Sequence, residues 1–442
     1  MSILELKSAV GIDDRPVVEE SSRRVASHGP RLGAGRRFLL ICGPFGKFTS
    51  ALGQALRREG AACTRVILNA GDILDWGLDH TRLYRGGFSD FGAWLSKVIE
   101  RDGVTDVIIY GDSHPYCGAA KRIAEFRDLR LHVLEQGYFR PFWVTLERGG
   151  VNGSSVLPRD PDFYRNAAAS APDPVDVWLP PLTPKAARNI TLYHAALLLG
   201  APAFSRFHEP YAYSILHQGV SHVRRFLHQR LFRARHAAEL RRALTWDGPI
   251  FFGVLQRPGD SQIRIHSPYQ SVAEFIDQVV ASFAAHAPAN ARLVFKSHPL
   301  DHGIEPHRRS AEAAARAYGA QGRVFFLDTG DLHAMVEGAA GAVTINSTAG
   351  LSLIAQSIPT ITLGEAIYDM KGLTHQGGLE RFWVAPERPD LSLYRDFRKV
   401  VIARTQVAGA YADDEGVQMA VGEITRRLLR WRSHPVLAYS AA

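Results

Sequence analysis

A lysine, a serine and a histidine stand in a row at Phe295-Lys296-Ser297-His298-Pro299, directly after the apolar run Leu293-Val294. An ammonium, a hydroxyl and an imidazole at a strand end form a compact set of phosphate donors. Pro299 fixes the backbone after His298 and keeps it out of a helix. A second segment, Ile345-Asn346-Ser347-Thr348-Ala349-Gly350, puts small polar residues where a strand turns into a helix. Backbone N–H groups and the positive end of the helix dipole would face an anion there, with the Ser347 and Thr348 hydroxyls as further donors. The same pattern also describes a capped helix with no ligand. A third segment, Leu255-Gln256-Arg257-Pro258-Gly259-Asp260-Ser261-Gln262, places Asp260 in a Gly-Asp-Ser turn after a strand. Aspartate is common in turns for its local hydrogen bonds, and it can equally offer a carboxylate to a cleft. In the first half, Leu134-Glu135-Gln136-Gly137-Tyr138 sets another carboxylate at a strand end. Two carboxylates, one from each half, suit sugar transfer: one attacks or stabilises the anomeric centre while the other moves a proton.

The elements that must position these groups follow an α/β rhythm. Residues 37–42 form a short apolar run, broken by Gly43-Pro44-Phe45-Gly46 and followed by a helical pattern over 48–58 and a strand over 62–68. Strand, glycine turn, helix and strand are the signature of a parallel sheet. Residues 107–110 end in Gly111-Asp112, a helix fits 115–127, and 131–134 is the next strand. The second half repeats the pattern with strands at 249–255, 292–296, 323–327, 341–345 and 359–364, an amphipathic helix over 271–286, and Asp331 as a helix N-cap. The fold expected is α/β, two Rossmann-like domains facing a cleft, with ligands at the carboxyl ends of the strands. The expected divisions are a disordered or loosely attached arm over 1–35, a first domain over 36–150 and an irregular, helical connection over 151–245. A second domain follows over 246–410, then a C-terminal helix and tail over 411–442.

The connection is punctuated by Pro158, Pro172, Pro174 and Pro180-Pro181, and its stretch 217–244 mixes seven arginines with Val223, Phe226, Leu227, Leu231, Phe232 and Leu240. One reading is a basic amphipathic helix on anionic lipid; the blander one is a connecting helix with a solvated arginine face. The chain of 442 residues has a net charge of +8, which favours an anionic substrate or surface. Its three cysteines, Cys42, Cys63 and Cys117, have no metal-ligand spacing and point to a reducing compartment. No signal peptide and no membrane span are expected. No Asp-x-Asp metal motif stands out, so no metal or other cofactor is expected.

Glu135-Gln136-Gly137-Tyr138-Phe139-Arg140-Pro141, with Val144-Thr145-Leu146-Glu147 and Gly150-Val151-Asn152-Gly153-Ser154-Ser155, resembles the capsule polysaccharide biosynthesis and export family typified by KpsS. Gly43-Pro44-Phe45-Gly46, Asn69-Ala70-Gly71-Asp72 and Tyr84-Arg85-Gly86 extend the likeness, as do the three segments above. So do Gly364-Glu365-Ala366-Ile367-Tyr368-Asp369, Gly372-Leu373-Thr374-His375-Gln376 and Phe382-Trp383. The likeness covers about residues 38–410. It departs from the related KpsC-type enzymes in having Glu-Gln-Gly-Tyr where those tend to have Glu-Asp-Gly-Phe.

The resemblance implies a retaining, GT-B-like β-Kdo transferase. Such a protein moves Kdo (3-deoxy-D-manno-octulosonic acid) from CMP-Kdo to a lyso-phosphatidylglycerol end and starts the lipid-linked oligo-Kdo linker of Gram-negative capsules. Carried over, Asp260 forms the Kdo adduct, Glu135 handles the proton, and His298, Ser347 and Thr348 hold the CMP phosphate beside Lys296, Ser297, Pro299 and Asn346. Arg140 and Arg257 are candidates for the Kdo carboxylate; Gln256, Ser261, Asp112, Gly43 and Asn152 are further candidate substrate contacts. The implied setting is cytoplasmic and peripheral on the anionic inner membrane, beside a KpsC-like enzyme and the capsule export complex, with no nucleic-acid partner. The rival readings are a transferase using another CMP-sugar, such as CMP-sialic acid, and a non-catalytic scaffold of the export complex.

Overall fold

Short, fully apolar strands need cover on both faces, and here helices supply it. A computed structural model describes residues 32–177, 184–209 and 213–431. Most of the expected arm over 1–35 and the end of the expected tail over 411–442 therefore lie outside the described residues. The chain runs through β1 (Arg37–Ile41), α1 (Phe48–Arg58), β2 (Ala62–Ile67), α2 (Ala70–Trp76), β3 (Thr81–Leu83), α3 (Phe88–Asp102), β4 (Asp106–Tyr110), α4 (Pro115–Phe126), β5 (Arg130–Gln136) and β6 (Trp143–Arg148). The middle holds α5 (Pro161–Ala168), α6 (Pro184–Gly200), α7 (Ile215–Leu231) and α8 (Arg233–Leu244). The second half begins with β7 (Ile250–Val254), α9 (Ser261–Ile265), α10 (Val272–His286), β8 (Arg292–Lys296), α11 (His307–Ala317) and β9 (Val324–Leu327). It continues through α12 (Leu332–Met335), β10 (Gly341–Thr344), α13 (Ala349–Ala355), β11 (Thr360–Thr362), α14 (Gly378–Val384) and α15 (Leu391–Thr405). The last elements are β12 (Gln406–Ala408) and α16 (Asp414–Arg430).

The second sheet has the order β11-β10-β7-β8-β9 and is parallel throughout. The first has the order β12-β6-β5-β4-β1-β2-β3, parallel from β5 to β3, with β6 and β12 antiparallel at one edge. Each sheet therefore reverses direction beside its first strand, at β1/β4 and β7/β10, and a crevice opens at the carboxyl ends there. This is the two-Rossmann architecture the α/β rhythm predicts.

Two boundaries differ from the sequence reading. β12 lies inside the range assigned to the second domain, yet it pairs with β6 in the first sheet, and α16 then packs on α1 through Ala420, Ile424 and Leu428 beside Leu52 and Leu56. The middle is also more than a connection: α5 packs on α15, and α6 packs on α2. A core cluster of Tyr138, Trp143 and Tyr164 with Tyr368, Leu393 and Phe397 joins the two halves. Burying each such side chain contributes about 1.5–3 kcal/mol, so this interface resists opening. Among the described residues, no helix is long and apolar enough to cross a membrane.

Candidate active site

Glu135 stands near the end of β5, where the chain from β4 turns back over it. Gly111 makes that turn with φ +65° and donates its N–H to the Leu134 carbonyl at 2.8 Å. A Cβ on Gly111 would come within 2.9 Å of Glu135 Oε2, so glycine is needed both for the backbone and for the space. Glu135 Oε1 accepts the Gln136 N–H at 2.8 Å, and the Tyr411 hydroxyl donates to the Glu135 carbonyl at 2.9 Å. Burial pushes the Glu135 carboxyl up to about 7, against the Gln136 N–H and Arg140, while the negative charges of Asp112 and Asp260 add to the rise. A carboxyl near neutrality can both take and give a proton under ordinary conditions.

Asp260 comes from the opposite crevice. β7 runs into a turn at Gly259, φ +72°, and Asp260 caps α9 by accepting the Gln262 N–H on Oδ1 at 3.0 Å. Gln256 Nε2 lies 3.5 Å from Asp260 Oδ2, and Gln256 Oε1 accepts the Asn346 N–H at 3.1 Å. The Ser261 hydroxyl donates to the Ser113 hydroxyl at 2.8 Å, linking the loops after β7 and β4 across the cleft. Glu135 and Asp260 line one cavity of about 1070 Å³, with Arg257, Arg264, Tyr110 and Asn69 among its other walls.

A second cavity of about 840 Å³ is lined by Lys296, Ser297, His298, Pro299, Ser347 and Thr348. Arg140 borders both cavities. Lys296 Nζ donates to the Ser297 carbonyl at 2.8 Å, and burial together with Arg225 lowers its ammonium to about 8. Burial, with Arg140 and Arg257 nearby, pushes His298 down to about 4, so its ring is neutral near pH 7. Its Nδ1 accepts the Leu300 N–H at 3.0 Å, which leaves the proton on Nε2 as a donor. The Ser347 hydroxyl oxygen accepts the Ala349 N–H at 3.2 Å, and the Ser347 carbonyl accepts the Tyr368 hydroxyl at 2.5 Å. The arrangement is a donor-rich pocket holding Lys296 and His298 beside a cavity into which Glu135 and Asp260 come from opposite sheets, with Arg140 on the border of both.

The capsule polysaccharide biosynthesis protein family matches residues 105–411 of this chain. The chain is 33% identical over 379 residues to the capsule polysaccharide export protein KpsS of Escherichia coli, covering 86% of this chain and 97% of that protein. The chain belongs to the capsule polysaccharide biosynthesis family. The capsule polysaccharide modification protein LipB of Neisseria meningitidis is 31% identical over 398 residues, covering 86% of this chain and 92% of its own length. Among solved structures, the Thermosulfurimonas dismutans KpsC β-Kdo 2,7 transferase aligns at a TM-score of 0.44 and 12% identity, covering 88% of this chain and 100% of that one.

In this capsule biosynthesis protein, several residues read as substrate contacts stand behind the cavities. Asn346 does not line the phosphate-type pocket: its Nδ2 donates to the Gln262 and His266 carbonyls at 3.2 Å each, so it holds the Asp260 turn in place. Asp112 is buried and accepts from Lys121 at 3.1 Å and from the Val151 N–H at 3.4 Å; it lines neither cavity and acts on Glu135 through its charge. Asn152 also lines neither cavity, and its N–H donates to the Tyr138 hydroxyl at 2.9 Å. That hydroxyl donates to buried Glu147 at 2.6 Å, with Ser155 on the other carboxylate oxygen, so the network ties down the 150–155 loop. Gly43 lines the carboxylate cavity, and a Cβ there would meet Thr49 Cγ2 at 2.4 Å. Arg257 lines the same cavity while donating to Gln218 at 2.8 Å.

Arg225 joins the site without having stood out in the sequence: it donates to the Ser297 hydroxyl at 2.9 Å and lies 3.7 Å from Asp301 and 3.6 Å from Asp328. Its only sequence signal was membership of an arginine run. Cys42 and Cys117, far apart in sequence, come within 4.8 Å of each other and of His114, the single such His/Cys group among the described residues. Cys117 donates to the Tyr110 carbonyl at 3.5 Å, and the Cys117 hydrogen bond together with burial holds the Cys42 thiol well above its ordinary range.

Proposed function

We propose that this chain is a retaining β-Kdo glycosyltransferase that moves Kdo from CMP-Kdo to a lyso-phosphatidylglycerol acceptor, starting the lipid-linked linker of a capsule. One observation carries the reading: Arg140 stands where the Lys296–His298 pocket meets the cavity holding Glu135 and Asp260. A donor spanning both cavities would leave its phosphate with Lys296, the His298 Nε2–H and the Ser347–Thr348 turn. The Kdo carboxylate would then face Arg140, and its anomeric carbon would face the two carboxylates. Asp260 attacks that carbon, the bond to the phosphate oxygen breaks, and CMP leaves with the bonding electron pair. Lys296 and His298 offset the charge developing on the leaving phosphate. The acceptor hydroxyl then attacks the same carbon, its proton passes to Glu135, and Asp260 departs as carboxylate. Two displacements at one carbon retain its configuration.

Membership in a capsule polysaccharide biosynthesis family supports the setting. In this reading the protein works on the cytoplasmic face of the inner membrane and hands its product to a KpsC-like enzyme and the export machinery. The deciding experiment is mass spectrometry of lyso-phosphatidylglycerol after incubation with the purified chain and CMP-Kdo, with CMP-sialic acid in parallel. A mass increase of one Kdo supports the reading; product with only the other donor, or with neither, overturns it. Transfer is expected to continue in EDTA, because no step uses a metal.

A further inference from the structure

Helix α7 is built inside out. Its inward seam is polar: Gln218, Ser221 and Arg225 face the protein, where Gln218 accepts from Arg257 and Arg225 holds Ser297. Its outward apex is apolar. Leu216, Val220, Val223, Leu227 and Leu231 follow one another at steps of four, three, four and four, and they are between 52% and 78% exposed. At about 100° per residue these five form a single stripe on the side opposite the inward seam. Arg224 and Arg230 are exposed and flank the stripe on either side, and Arg233 follows it in α8. A continuous exposed apolar stripe marks a surface that something covers.

We propose that this face of α7 is a membrane-docking surface, with the apolar stripe set into the acyl boundary of an anionic phospholipid layer and the flanking arginines on its phosphates. The charge chooses the occupant. Arginines beside the stripe match lipid phosphate, whereas a second copy docking stripe to stripe would bring like charges together. The helix also borders the carboxylate cavity through Gln218, so docking on α7 sets that cavity beside the lipid surface. This last consequence rests on the transferase reading; lipid binding itself does not.

The full chain is sedimented with vesicles of phosphatidylcholine alone and of phosphatidylcholine with phosphatidylglycerol, without donor or acceptor. Wild type is expected to bind the phosphatidylglycerol vesicles. V223D/L227D should lose at least roughly tenfold in affinity, and R224E/R230E should lose its preference for the anionic vesicles. The milder L216S/V220S pair tests the same stripe. All four apolar positions are solvent-facing, so thermal unfolding should be unchanged. Wild-type binding by V223D/L227D and L216S/V220S overturns the proposal. So does a lipid-free wild-type dimer that V223D/L227D turns into a monomer, since a second copy would then cover the stripe. Because no sugar transfer is measured, failure here leaves the transferase reading untouched, and failure of transfer leaves this one.

Discussion

The Ser261 hydroxyl donates to the Ser113 hydroxyl at 2.8 Å, and this contact joins the two crevices one residue away from Asp260. Gln262 Nε2 reaches the same Ser113 oxygen at 3.3 Å. Neutral hydrogen bonds of this kind contribute about 0.5–1.5 kcal/mol. Ser113→Ala should therefore lower kcat/KM by about three- to tenfold while leaving the thermal midpoint nearly unchanged, since the interdomain apolar cluster remains. Steady-state kinetics beside thermal unfolding would check this; an unchanged kcat/KM would show that the bridge does not align the carboxylates.

The pH profile of kcat/KM should be a bell. Glu135, raised to about 7, must lose its proton to act as base, so the rate climbs through that pH. Lys296, lowered to about 8, loses its charge above that point, and the rate falls. Glu135→Gln should lower the rate by at least about a hundredfold, and Lys296→Met should remove the upper limb.

Glu135 also makes a prediction about stability. Its folded value lies above the ordinary glutamate value of 4.5, so the folded state holds the proton more tightly. The resulting stabilisation is full below about 4.5 and is lost as pH rises through about 7. Glu135→Gln should consequently raise the thermal midpoint at pH 8 by about 1–3 °C even as it lowers the rate. Differential scanning fluorimetry at pH 5 and pH 8 tests this, with the gain confined to the higher pH.

His298→Gln keeps an N–H donor near the position of Nε2, whereas His298→Ala removes it. The first should retain most donor binding, and the second should lose about 10²-fold in kcat, as for a donor to developing charge. Equal losses in the two variants would assign His298 to loop structure through its Leu300 contact.

Arg225→Met should raise the donor KM more than it lowers kcat, because it frees the Ser297 loop without touching the carboxylates. It also strips a partner from buried Asp301, at a cost of about 1–3 kcal/mol. Rescue by Arg225→Lys should be partial, since one ammonium cannot reach Ser297, Asp301 and Asp328 together.

Much of the α/β frame is legible because buried parallel strands are short apolar runs with glycine turns after them. β6 and β12 escape that rule. β6 alternates Thr145 and Glu147 with apolar residues and reads as a motif, while β12 is three residues long and gains its identity only by pairing with distant Val144. The positions of Glu135, Lys296 and His298 at strand ends, and of Asp260 in the turn after β7, are also legible. The work of Asn346 is not, because its partners, the Gln262 and His266 carbonyls, come from another loop. Periodicity in α7 marks two faces but not which one turns inward. The inward choice is polar here because the loops it meets, after β8 and β9, present Ser297, Asp301 and Asp328.

The antiparallel edge supplied by β12 has a consequence for biosynthesis. The strand that covers β6, and the helix α16 that closes over α1, leave the ribosome only after the whole second sheet. Until then the nascent first domain presents the open edge of β6 and the bare apolar faces of Leu52 and Leu56. Unpaired edges and uncovered faces are sticky, so the first domain is expected to need more chaperone cover during translation than an independently completed domain would.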